Sequence, residues 1–124
     1  METPKKSILI IDDETVFAEL LKLNIEAALP YECRLAAGGA EGLRQIAARR
    51  PDLVLLDIKM PEMNGSEVLA RIKTLDAGIP VCMVTAIWDD AQGRECLKAG
   101  AFDYITKPVD FTYLETVLAS KLLP

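Results

Sequence analysis

Leu53-Val54-Leu55-Leu56-Asp57-Ile58-Lys59-Met60-Pro61-Glu62-Met63-Asn64-Gly65 is the stretch on which the fold is decided. Four apolar residues of strand character run into a carboxylate, and Met-Pro and Asn-Gly turn signals follow at once. A strand that is apolar at every position is buried on both faces, as strands of parallel sheets are. In open α/β sheets, ligands bind at the carboxyl ends of the strands. Asp57 therefore stands where such a sheet would meet its ligand.

Working outward, the same alternation recurs five times. The pattern predicts strands at Ser7 to Ile11, Cys33 to Ala36, Leu53 to Asp57, Pro80 to Thr85 and Phe102 to Ile105. Helices are expected over Asp13 to Leu29, about Ala40 to Arg49, Ser66 to Leu75, Asp89 to Ala99 and Asp110 to Leu122. Pro51 ends the second helix, because the residue before a proline is disfavoured in helix. Gly100 suits the residue just past the fourth. Strands alternating with helices imply βαβ units, a parallel sheet and right-handed crossovers. The expected fold class is α/β, doubly wound, with helices on both faces. One domain spanning residues 1–124 fits the length.

Composition narrows the function. The chain is 51% apolar, enough for a core and against disorder. Its net charge is −5, and no basic run exceeds Lys5-Lys6 or Arg49-Arg50, which argues against nucleic-acid binding by this segment. The apolar runs are too short to span a membrane, and the opening residues carry no signal-peptide pattern, so a cytoplasmic location is expected. Three cysteines, Cys33, Cys82 and Cys96, are widely spaced and read as reduced packing thiols. There is no histidine, which removes His-based triads, His-ligated metals and a phosphohistidine role for this chain.

Polar residues close four of the five strands: Asp12-Asp13, Asp57, Thr85-Ala86 and Thr106-Lys107-Pro108. Each alone has a plain structural explanation. Asp12 or Asp13 caps a helix, Thr85 is an ordinary strand threonine, Lys107 is a solvated lysine, and Asp57 is a turn residue. In a parallel sheet, however, all of them project from one edge, and three carboxylates crowd one pocket. At ~4 Å and an effective dielectric near 20, each like-charge pair costs on the order of 4 kcal/mol. Lys107 compensates one charge, and a hard divalent cation compensates the rest. Oxygen-only ligands with retained waters suit Mg²⁺. A carboxylate, a hard metal, a lysine and a hydroxyl are the parts that handle a phosphoryl group. Asp57 would be the nucleophile forming an acyl phosphate, Asp12 and Asp13 the metal ligands, and Lys107 and Thr85 the contacts to phosphoryl oxygens.

These residues resemble the receiver domain of two-component response regulators across essentially the whole chain. The matching motifs are Asp12-Asp13, Asp57-x-x-Met60-Pro61-x-x-x-Gly65, Thr85-Ala86 and Gly100 to Pro108. The resemblance implies a five-stranded sheet of order 2-1-3-4-5. It implies that Asp57 takes phosphate from a sensor histidine kinase or a phosphotransfer protein, and that the domain catalyses only its own phosphorylation and dephosphorylation. It gives Asp13 a direct role on Mg²⁺, Asp12 a role often through water, and the Lys59 backbone carbonyl a third ligand position. It makes Lys107-Pro108 a cis bond. It casts Thr85 and Tyr104 as a switch acting on the face of the fourth helix, fifth strand and fifth helix. The rival within the family is a degenerate receiver that binds partners without phosphorylation. Phosphatases of the haloacid-dehalogenase type need a second acid two residues beyond a first-strand nucleophile. Here Glu14 has that spacing from Asp12 but lacks the flanking Thr or Val, and there is no cap region.

Some positions depart from the family pattern. Regulators that dimerise through the fourth-helix, fifth-strand and fifth-helix face usually carry an acid where Phe102 stands and pair it with arginine on the last helix, which has none here. Lys59 and Ile87, each two beyond a site residue, are expected to hinder water and lengthen the phosphate's life. The first helix has a wide apolar arc, Val16, Phe17, Leu20, Leu21, Leu23 and Ile25, read as core with part of it able to dock a kinase. Trp88, the only tryptophan, is expected to pack near the Thr85 loop.

Overall fold

The computed structural model describes residues 4–86 and 90–123, so Ile87, Trp88 and Asp89 lie outside the described residues. Five strands alternate with five helices: β1 Lys6–Ile11, α1 Thr15–Ala28, β2 Tyr31–Ala36, α2 Gly39–Ala48, β3 Leu53–Leu56, α3 Gly65–Leu75, β4 Val81–Thr85, α4 Asp90–Lys98, β5 Asp103–Thr106 and α5 Phe111–Leu122. All neighbouring strands pair in parallel, in the order β2-β1-β3-β4-β5.

The period-2 alternation of the central strands divides the core in two. Ile8, Ile10, Leu53, Leu55, Cys82 and Val84 face α1 and α5, where Leu21, Ile25, Leu114 and Leu118 close over them. Leu9, Ile11, Val54, Leu56, Val81 and Met83 face α2, α3 and α4, meeting Ile46, Val68, Leu69, Ile72 and Cys96. β3 and β4 are buried at every residue, as apolar runs covered on both faces must be. Cutting one such Leu to Ala costs about 2–5 kcal/mol.

Several boundaries differ from the sequence expectation, each for a local reason. β2 begins at Tyr31 rather than Cys33. It is an edge strand whose Glu32 and Arg34 alternate with the buried Tyr31 and Cys33, so its apolar run is shorter than the strand. β5 runs one residue later, because Phe102 donates its N–H to Val81 outside the ladder while Thr106 pairs with Thr85. α1 starts at Thr15, two residues after Asp13. Asn64-Gly65 is more than a turn: Asn64 caps α3, its side chain accepting from the Glu67 N–H, and Gly65 is the first helical residue. Gly100 has φ 116° just past α4, and the Ala101 N–H returns to the Cys96 carbonyl, as expected of a glycine that ends a helix.

Candidate functional site

The site is built by continuing the sheet ladder one residue beyond the strands. The Asp12 N–H donates to Ala36 at 3.0 Å, the Asp57 N–H to Ile11 at 3.0 Å and the Lys107 N–H to Thr85 at 2.9 Å. β3 therefore ends at Leu56 as a strand, but the backbone still holds Asp57 in register with β1. Asp12, Asp57 and Thr85 are buried, at 3%, 4% and 1% exposure. Asp13 is half-buried at the rim. One carboxylate oxygen from each of Asp12, Asp13 and Asp57 lies within 4.8 Å of the others.

Asp12 does not cap α1. Its Oδ1 accepts the Glu14 N–H at 2.8 Å in a local turn, and Glu14 is the cap residue. The other Asp12 oxygen, Oδ2, meets the Lys107 ammonium at 2.8 Å; Lys107 also reaches Glu14 Oε1 at 2.7 Å and stands 3.5 Å from Asp57 Oδ2. The Phe17 ring of α1 faces the same ammonium at 4.2 Å. Burial carries the Asp12 carboxyl above its usual range, against the hydrogen bonds from Lys107 and the Glu14 backbone. Burial pulls Lys107 down, but its hydrogen bonds to Asp12 and then Glu14 outweigh it and leave the ammonium held above its ordinary value.

Gly65 shapes the loop under Asp57. Its N–H donates to the Ile58 carbonyl at 2.6 Å. A Cβ there would overlap the Asp57 carbonyl oxygen and lie 2.7 Å from Ile58 Cα, both backbone atoms that cannot turn aside. Lys59 is exposed, and the Lys107-Pro108 bond is cis. Tyr104 is half-buried rather than lying on the open surface. Its ring packs on the second core cluster beside Gly93 of α4, where an added Cβ would come within 3.3 Å of it.

The donor set suits a hard divalent cation. The converging side chains offer carboxylate oxygens, and among the described residues Lys107 pairs with three acids, Asp12, Glu14 and Asp57, with Asp13 beside them.

Two members of this site were obscured in the sequence. Glu14 stood out as the third acid of a run and for its spacing from Asp12, not as a partner of Lys107, and Phe17 was merged into the apolar arc of α1. That arc splits in the fold: Leu21 and Ile25 are core, while Val16, Leu20 and Leu23 are exposed at 70%, 54% and 63%. Phe102, where an acid is usual in dimerising regulators, is a half-buried packing residue with Lys121 5.1 Å above its ring.

Comparison with known proteins decides the family. The family model described as "Response regulator receiver domain" matches residues 8–119. The chain is a response regulator receiver domain. The transcriptional regulatory protein ZraR of Klebsiella oxytoca is 37% identical over 122 residues, 98% of this chain and 27% of that protein. The DNA-binding response regulator MtrA of Mycobacterium tuberculosis is 37% identical over 108 residues, 87% of this chain and 46% of that protein. The receiver thus spans about a quarter to a half of the curated relatives it matches. Among solved structures, a CheY-like receiver domain protein from Methanospirillum hungatei superposes with a TM-score of 0.90 at 37% identity, covering 96% of this chain and 94% of that one. The CheX-CheY-BeF3-Mg complex from Borrelia burgdorferi gives 0.88 at 28% identity, covering 96% and 90%. No helix among the described residues is long and apolar enough to cross a membrane.

Proposed function

We propose that this receiver accepts a phosphoryl group on Asp57 from a phosphohistidine of a sensor kinase or phosphotransfer protein, in a Mg²⁺-dependent reaction. The observation that carries the reading is the convergence of three carboxylates within 4.8 Å beside a half-buried lysine. An Asp57 oxygen attacks phosphorus, the new O–P bond forms in line as the P–N bond breaks, and the electron pair leaves on the imidazole nitrogen. Asp12, Asp13, Asp57 and the Lys59 carbonyl would hold Mg²⁺, which when bound neutralises charge on the phosphoryl oxygens. Lys107 and Thr85 take the remaining oxygens by charge-assisted and hydroxyl hydrogen bonds.

The output is a population shift at the α4, β5 and α5 face, with Thr85 drawn toward the phosphoryl group and Tyr104 turning inward behind it from its resting seat beside Gly93. The domain turns over no separate substrate; it catalyses only its own phosphorylation and dephosphorylation. The exposed α1 ridge of Val16, Leu20 and Leu23 is the surface offered to the phosphodonor protein. DNA contact, named for MtrA, is assigned outside this acidic segment. Incubation with acetyl phosphate and Mg²⁺ should add one phosphoryl mass, absent in Asp57→Ala and absent with chelator. Undiminished labelling of a folded Asp57→Ala variant would refute the assignment.

A further inference from the structure

A lysine ammonium has three protons to donate. In this receiver two of them are committed, to Asp12 at 2.8 Å and Glu14 at 2.7 Å. Asp57, the acid it would serve during phosphoryl transfer, stands at 3.5 Å, beyond good hydrogen-bond range. Glu14 is the cap residue of α1, yet its carboxylate makes no cap hydrogen bond. It turns instead to a lysine 93 positions away. The Glu14 side chain is 59% exposed and Lys107 only 9%, so the acid lies over the mouth of the pocket and the ammonium beneath it. The Phe17 ring, 4.2 Å from the ammonium, flanks the same lysine.

We propose that Glu14 is a positioning residue that latches Lys107 in the resting receiver, holding its ammonium short of Asp57. The consequence for phosphorylation rests on the reading of Asp57 as acceptor. A phosphoryl oxygen that takes a proton of Lys107 competes with Glu14 for it, and the same carboxylate repels an anionic donor at the entrance. An exposed ion pair is typically worth up to about 1 kcal/mol, a factor of about five. Glu14→Gln, which keeps the size and removes the charge, is expected to speed phosphorylation by acetyl phosphate or phosphoramidate about two- to five-fold. Strong salt screens exposed charges, so the gain should shrink toward unity near 1 M salt.

Two readouts on the purified receiver test this. The first is the rate of acyl-phosphate formation in both proteins at fixed Mg²⁺, at low and high salt. The second is the ¹H–¹⁵N signal and mobility of the Lys107 ammonium in the metal-free proteins, which needs no phosphorylation. A shifted, more mobile ammonium together with a salt-sensitive gain in rate supports the latch. An unchanged ammonium overturns it, as does a variant that is equally fast or slower. If the ammonium loosens in Glu14→Gln but neither protein takes phosphate on Asp57, the latch stands and the phosphoryl reading falls.

Discussion

Asp13→Asn tests the electrostatics of the pocket with little change of shape. Asp13 shares a 4.8 Å neighbourhood with Asp12 and Asp57. At an effective dielectric near 20, each ionised pair at that distance costs about 3.5 kcal/mol. Asp13 is half-buried, so water screens its two pairs to about 1 kcal/mol each. The ion pairs of Lys107 among the described residues go to Asp12, Glu14 and Asp57, so no compensating contact is lost with the Asp13 charge. Without metal the variant should therefore be more stable than the wild type by about 2 kcal/mol, or about 8 °C in Tm at roughly 4 °C per kcal/mol for a domain of this size. Mg²⁺ should reverse the order. At a hundred times Kd it stabilises the wild type by about 2.7 kcal/mol, and the variant by much less, having lost a ligand. Thermal melts in chelator and in saturating Mg²⁺ read both effects. A variant that melts at or below the wild type in chelator, or gains as much from Mg²⁺, refutes the reasoning.

Gly65→Ala, by setting a Cβ against the Asp57 and Ile58 backbone, should cost about 1–3 kcal/mol in urea melts and slow Asp57 phosphorylation, whereas Gly38→Ser should be neutral or slightly stabilising, since nothing lies within 4 Å of a Cβ there and serine is a good cap. All three thiols are buried, and Cys33 is pushed up to about 12 by burial first and Glu26 second, so a thiol reagent at pH 8 should label none in the native receiver and three after denaturation. The Asp76 carboxyl is held below its ordinary 3.8 by Arg50 and then the Gly78 N–H. A lowered folded value means the stabilisation is present above pH 3.8 and lost as pH falls through the folded value. The Tm deficit of Asp76→Asn should therefore be full at neutral pH and vanish in stronger acid; a deficit independent of pH counts against it.

The strands that carry the site were legible because burial on both faces leaves an unbroken apolar run, as in Leu53–Leu56 and Val81–Thr85. The edge strand β2 was legible only in part, since one side of it meets solvent and its Glu32 and Arg34 interrupt the run. Asp12, Asp13, Asp57 and Thr85 stood out because each is a polar residue at the end of such a run, and Lys107 because it follows the last strand in a Thr-Lys-Pro turn. Glu14 and Phe17 did not, because acid after acid and an aromatic in an apolar arc are ordinary at the start of a helix. Tyr104 could be placed on its strand, but its seat beside Gly93 depends on how closely α4 approaches β5.

Local chemistry along the chain was thus enough to determine the alternating elements, the parallel sheet and the set of acids at its edge. Which partner the lysine takes was left to the tertiary structure. Glu14 and Lys107 are 93 positions apart, and no local pattern couples them. They meet because β1 and β5 end on the same edge of the sheet while α1 turns its first residues over that edge. Only there does one ammonium choose among Asp12, Glu14 and Asp57, and in the resting fold it sits nearest the two that are not the acceptor.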